Sequence, residues 1–149
     1  MRGGAYQRIM IATDGSELGK KAVVTGIDIA KLSGAKVYAV YVVTPVAYTA
    51  RDLGWVRASM ENFRAEGKRA TAFVEDIAKA ANVEVESVIL EGHPAEEIVE
   101  FAEHNGMDLI VMGTLGKTGF DRFLLGSVAE NVIRHSKTPV LVVKGEKSR

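Results

Sequence analysis

Cysteine is missing from this 149-residue chain. Its absence excludes disulfides, thiolate zinc sites and cysteine nucleophiles. It fits a reducing compartment, and a cytoplasmic location is the default expectation. An excess of either charge is missing too: 19 basic and 19 acidic residues leave a formal net charge of zero. Nucleic-acid binders normally carry a basic excess, so no nucleic-acid partner is expected. No apolar run reaches the length of a membrane span, and the opening Met1-Arg-Gly-Gly-Ala-Tyr-Gln7 has no apolar signal-peptide core. No membrane association is expected. Repeats and low-complexity segments are absent. His93, His104 and His135 share no ligand spacing, so all three read as structural or surface residues and no metal site is expected from them. Gly-x-Ser-x-Gly is absent, so no nucleophile elbow is visible.

What is present is an ordinary globular composition, 47% hydrophobic and 26% charged. The length suggests one domain, residues 1–149. Arg8–Thr13 is short and apolar and runs into Asp14-Gly15-Ser16, a strand and a turn. Ala22, Val23, Gly26, Ile27 and Ala30 recur at helical spacing, which predicts a helix over roughly 17–33 ended by Ser33-Gly34. Lys36–Val43 is β-branched and aromatic, a second strand. Residues 44–57 show no clear period and read as a loop. A long helix follows, from Val56 to Ala81. Val83–Leu90 opens with polar/apolar alternation, which suits a strand near a sheet edge. Pro94 stands where a first helical residue would be, and Asn105-Gly106 closes that helix. Asp108–Gly113 is a continuous apolar strand. Leu125, Ala129, Val132 and Ile133 mark a last helix, and Pro139–Val143 a last strand. The order βαβαβαβαβ predicts a parallel sheet covered on both sides.

One stretch carries chemistry, Gly113-Thr-Leu-Gly-Lys-Thr-Gly-Phe-Asp-Arg-Phe-Leu-Leu-Gly-Ser127. Its Gly116-Lys117-Thr118 resembles the tail of a P-loop. A P-loop needs another glycine with four residues between it and Gly116; that position is Val111, inside the strand, so the spacing fails. G-x-G-x-x-G fails as well. What remains is Gly113-x2-Gly116-x9-Gly126-Ser127. About twelve residues join strand and helix, where such connections usually take 2–6. The glycines allow either close approach of backbone to a ligand or positive φ. Ser127 opens a helix whose free N–H groups favour an anion. It also begins Ser127-Val-Ala-Glu130, a capping box, so a purely capping role is the competing reading. Asp14 likewise reads either as a turn residue or as a ligand at the crevice lip. Lys117 and Arg122 have the reach to meet phosphates but no motif assigns them a role, and Asp121 is unassigned.

Gly-x2-Gly-x9-Gly-Ser resembles the ATP-binding motif of the universal stress protein family, in the subclass that keeps the glycines. Ile9–Ser16, Val40–Val43, Gly92-His-Pro94 and Asp108–Gly113 resemble its first strand and turn, second strand, third helix entry and fourth strand. The resemblance implies a single-domain doubly wound α/β fold. Its five parallel strands lie in the order 3-2-1-4-5 with helices on both faces, and dimers usually form through the last strand. It implies that Ala12, Thr13 and Asp14 lie along ribose and adenine and that Val42 offers its backbone to the adenine edge. It also implies that Met112 and Gly113 border the nucleotide and that Gly116, Gly126, Ser127 and Val128 cradle the phosphates. The cofactor expected is ATP with Mg2+. The function expected is a stress-response or signalling module, not an enzyme, that shifts conformation with nucleotide and hydrolyses it slowly at most. Its protein partner is unknown. The rival readings are a protein-interaction dimer with a vestigial pocket and an enzyme of the wider nucleotide-binding α/β group.

Overall fold

The chain alternates strand and helix throughout, because short β-branched runs alternate with apolar stripes of helical period. The structure, a computed structural model, describes residues 6–44, 53–114 and 125–145. Its elements are β1 (Arg8–Ala12), α1 (Lys20–Ser33), β2 (Lys36–Val43), α2 (Leu53–Ala80) and β3 (Val85–Glu91). They continue with α3 (Pro94–His104), β4 (Leu109–Gly113), α4 (Ser127–His135) and β5 (Val140–Val143). All five strands are parallel, in the order β3-β2-β1-β4-β5. The expected fold class and strand order are both present.

Alternation along each strand splits the core into two layers. Ile9 and Ile11 of β1 pack with Val111 of β4 against α1 and α2. Met10, Ile110 and Met112 face the other way, against Ile98 and Ala102 of α3 and Ala129 and Val132 of α4. A third cluster lies on the α2 side, where Tyr41, Val43 and Ala70 are buried and Met60 and Phe63 pack on them. On β5, Leu141 joins the α1 side while Val140 and Val142 join the α4 side, so both faces of this edge strand are partly covered by the domain's own helices.

Several boundaries differ from expectation. The first helix opens with a 3-10 turn, Glu17–Gly19, capped by the Ser16 hydroxyl accepting from the Gly19 N–H, and becomes α-helical at Lys20. It closes at Gly34, which takes the left-handed φ of 72°. The segment read as a loop to Arg57 is helical from Leu53, which stands three residues before Val56 and so begins the apolar stripe one turn earlier than expected. The rest of that expected loop, 45–52, lies outside the described residues, as do Gly116, Lys117, Asp121 and Arg122. Glu84 and Glu86, the polar positions of the alternation that opens Val83–Leu90, are exposed and both meet Lys36, at 3.6 and 3.0 Å. The Glu86 carboxylate, accepting from the Lys36 ammonium, holds its pKa above the ordinary lysine value. The rim at β3 is therefore charged, whereas Val140–Val143 at the opposite rim carries no charge.

Candidate functional site

In an open α/β sheet a crevice forms at the carboxyl ends of the strands, where the chain order reverses. Here that point lies between β1 and β4. A cavity of about 410 Å³ opens there. Ala12, Thr13 and Asp14 leave β1 into it; Val42 comes from β2, Met112 and Gly113 from β4. Gly126, Ser127 and Val128, at the start of α4, complete that wall. Nine of the ten residues expected at a site line one cavity; the tenth, Gly116, lies outside the described residues.

Strand geometry determines what the backbone offers. Lys36 N–H donates to Gln7 C=O at 2.9 Å and Thr13 N–H to Val40 C=O at 2.9 Å, so even-numbered residues of β2 address β1. Val37 N–H donates to Glu84 C=O at 2.8 Å, so odd-numbered ones address β3. Val42 stands two residues past Val40 and beyond the end of β1. Its N–H and C=O therefore point into the crevice as a donor and acceptor side by side.

Asp14 is a turn residue that also lines the cavity. Its Oδ1 accepts from the Ser16 N–H at 2.9 Å, an Asx turn that fixes the carboxylate, while Thr13 Oγ1 accepts from Gly15 N–H at 3.1 Å. The turn needs Gly15, whose φ is 77° and where an added Cβ would stand 3.2 Å from that of Ala70. The result is a carboxylate held in place at the cavity lip. It is the only acidic side chain among the described lining residues.

At α4 the structure corrects two expectations. Ser127 is not the cap. Gly126 occupies the N-cap position without a side chain to contribute, and Glu130 N–H donates to Gly126 C=O at 2.9 Å. Ser127 is thus the first helical residue, one step too late for its hydroxyl to serve the capping box. Nor does Gly126 use positive φ; it is extended at φ −64°, ψ 153°, a conformation open to any residue. Closeness of approach is the remaining reason for a glycine there. The N–H groups of Ser127, Val128 and Ala129 precede the first intrahelical bond, and none has a backbone partner among the described residues. The loop that leads here is tied at both ends: Gly126 N–H donates to Thr114 C=O, and Thr114 N–H to Val143 C=O at 3.2 Å. Because no cap is lost, Ser127→Ala is expected to leave urea-unfolding stability within about 0.5 kcal/mol of the parent. A loss of 1–2 kcal/mol would restore the capping role.

Sequence reading missed Tyr41, Phe63, Pro94 and Ile98, which also line the cavity. Phe63 and Ile98 sit in apolar stripes that look the same whether they face a core or a cavity, and only the strand order brings them together. The histidines behave as expected. His104 and His135 each set Nδ1 against a carbonyl of their own helix at 2.9 Å, from Glu100 and Asn131, and His93 is exposed. Among the described residues no group of three or more metal-ligating side chains is assembled, and no helix is long and apolar enough to cross a membrane.

The profile of the universal stress protein family matches residues 5–144. This chain belongs to that family. Universal stress protein MJ0531 of Methanocaldococcus jannaschii is 48% identical over 144 residues, covering 95% of this chain and 84% of the relative. Among solved structures, a universal stress protein in complex with cAMP is 32% identical with a TM-score of 0.72, covering 95% and 98% of the two chains. The universal stress protein of Archaeoglobus fulgidus in complex with dAMP is 26% identical with a TM-score of 0.71, covering 94% and 99%. Both complexes hold adenine nucleotides, in those two proteins.

Proposed function

We propose that the protein is an ATP-binding stress-response or signalling module in which the nucleotide acts as a conformational ligand. The observation that carries this reading is the convergence on one cavity of Asp14, the Val42 backbone pair and the unpaired N–H groups of α4. These supply in one place a partner for ribose hydroxyls, a complement to the N1 and N6 edge of adenine, and a positive helix end for phosphates. Adenine nucleotides bound to two relatives support the choice of base.

The residues present fit ATP in chemistry as well as in position. Mg2+ would accompany the triphosphate, with Asp14 as the available protein carboxylate, since Mg2+ is usually held by one or two carboxylates and substrate phosphates. On this reading Asp14 is taken up by ribose or metal and does not serve as general base, so hydrolysis is at most slow. A homodimer through β5, an unidentified protein partner and a cytoplasmic location belong to the same proposal.

Two measurements test it. Mass spectrometry of small molecules released by heating the purified protein should find an adenine nucleotide. Calorimetry should show ATP binding at least about tenfold tighter than AMP, because the α4 terminus loses charged partners when the β- and γ-phosphates are absent. A folded chain that neither carries nor binds adenine nucleotide would leave a vestigial pocket. Turnover far above background would favour the enzyme reading.

A further inference from the structure

The cavity has a wall that the glycine loop and the β1 turn do not account for. Phe63, from α2, lines it on the side opposite Pro94 and Ile98 of α3. Phe63 is half-buried and packs on Tyr41, Val43 and Ala70, at the outer end of the cluster between α2 and the sheet. The Val42 side chain lies on the other side, with Ile98 and Ala129.

These positions bear on how a ring would sit. The Val42 N–H and C=O lie roughly in the plane of the sheet, where β1 would have paired had it continued. A heteroaromatic ring that takes both groups on one edge extends that plane. Its two faces then look toward the two helical layers, one toward α2 and one toward α3. Edge hydrogen bonds give the faces nothing; the faces need apolar walls.

We propose that Phe63 is a specificity residue of the nucleotide site, forming the α2-side wall for the base opposite Pro94 and Ile98. The inference rests on the nucleotide reading above and deepens it: the ligand is a planar base held on its edge by β2 and on its faces by two helices. It also ties α2 to occupancy. With 28 residues α2 is about 42 Å long, and the eight residues of β2 span about 26 Å, so the helix outruns the strand it covers. Contact with the base at Phe63 would make this long helix one wall of the site.

Gly67 offers an independent handle, one helical turn along α2. It lies against the Tyr41 ring, and a Cβ there would stand 2.8 Å from Tyr41 Cδ1 and 3.3 Å from Cγ and Cε1. Tyr41 is buried, so its ring has little room to yield. Gly67→Ala would therefore displace either α2 or Tyr41, and both move the same wall.

The experiment compares ATP with inorganic tripolyphosphate, which has the phosphates and no base, by calorimetry on the full chain. Phe63→Leu keeps the residue apolar and should weaken ATP about tenfold while leaving tripolyphosphate within about twofold. Phe63→Tyr keeps a ring and should retain ATP affinity. Gly67→Ala should follow Phe63→Leu, and urea unfolding identifies the variants that are fully folded under the titration conditions. If folded Phe63→Leu binds ATP as the parent does, or loses ATP and tripolyphosphate by the same factor, Phe63 is only a packing residue and the proposal falls. Failure of the parent itself to bind ATP would overturn the nucleotide reading and this inference together, a different and recognisable result.

Discussion

Ser127→Asp is expected to make the protein more stable and a worse ATP binder at once. Ser127 is the first residue of α4 and does not cap it. A carboxylate in the first turn interacts favourably with the helix dipole, contributing about 0.3–1 kcal/mol. The same carboxylate would stand among the N–H groups proposed to receive phosphate, competing for them and repelling the anion. Affinity for ATP should fall about a hundredfold, near 2.7 kcal/mol. The urea midpoint should rise or hold, and calorimetry should register the loss. Ser127→Asn, similar in size and uncharged, should lose far less. Opposite movements of stability and binding are hard to obtain from a damaged fold. Undiminished ATP affinity in Ser127→Asp would remove α4 from the phosphate site.

The second large effect is expected in mass rather than affinity. Light scattering on the parent should give twice the 16.1 kDa of one chain. β5 ends the sheet with Val140–Val143 uncharged, while the other edge strand, β3, carries Glu86 and Glu91. Charged edges resist pairing and apolar ones invite it. The exposed residue to watch is Ile133 on α4, 47% exposed. At 100° per residue it lies about 185° from the mean direction of Ser127, Val128, Asn131 and His135, which line the groove against α3. Ile133 therefore faces away from α3, past the β5 rim. Antiparallel pairing of two β5 strands about a two-fold axis would cover it. Ile133→Asp should give a folded monomer, since an exposed side chain contributes little to the single chain. Leu141→Asp and Val142→Asp should instead both destabilise the fold, because each enters one of the domain's own apolar clusters. A parent that runs at 16.1 kDa at tens of micromolar protein would sink the dimer.

The strands were legible because Ile9–Ile11, Val37–Val43 and Leu109–Met112 are continuous apolar runs that a parallel sheet requires. The strand order was not derivable from periodicity. It came from the resemblance carried by Gly113, Gly126 and Ser127. What escaped was of two kinds. Leu53 continues the Val56–Met60 stripe by three residues toward the N-terminus, but Pro45 and Gly54 are loop signals, and they set the expected helix start one turn too late. Ser127 fits the capping-box pattern, yet the helix starts one residue earlier than that pattern demands, and a shift of one residue is beyond what pattern alone resolves. At the site, residues that follow glycines and turns were found, because turn chemistry is local. Phe63 and Ile98 were missed because their exposure to a cavity depends on which strands lie side by side.

The knot of hydrogen bonds joining Val143, Thr114 and Gly126 has a consequence for how this protein can vary. Holding the two ends of a loop together is the main entropic charge for having it, and that charge grows only with the logarithm of length. Here the ends are held by backbone groups, which every non-proline residue possesses. A longer connection between them is therefore expected to cost little: doubling the number of residues between Thr114 and Gly126 should cost only about 0.6 kcal/mol of stability. A segment so cheaply rewritten can be retuned to new ligands or new partners while the sheet beneath stays constant. In this architecture innovation and stability are written in separate places, and the stitch at Thr114 and Gly126 is the border between them.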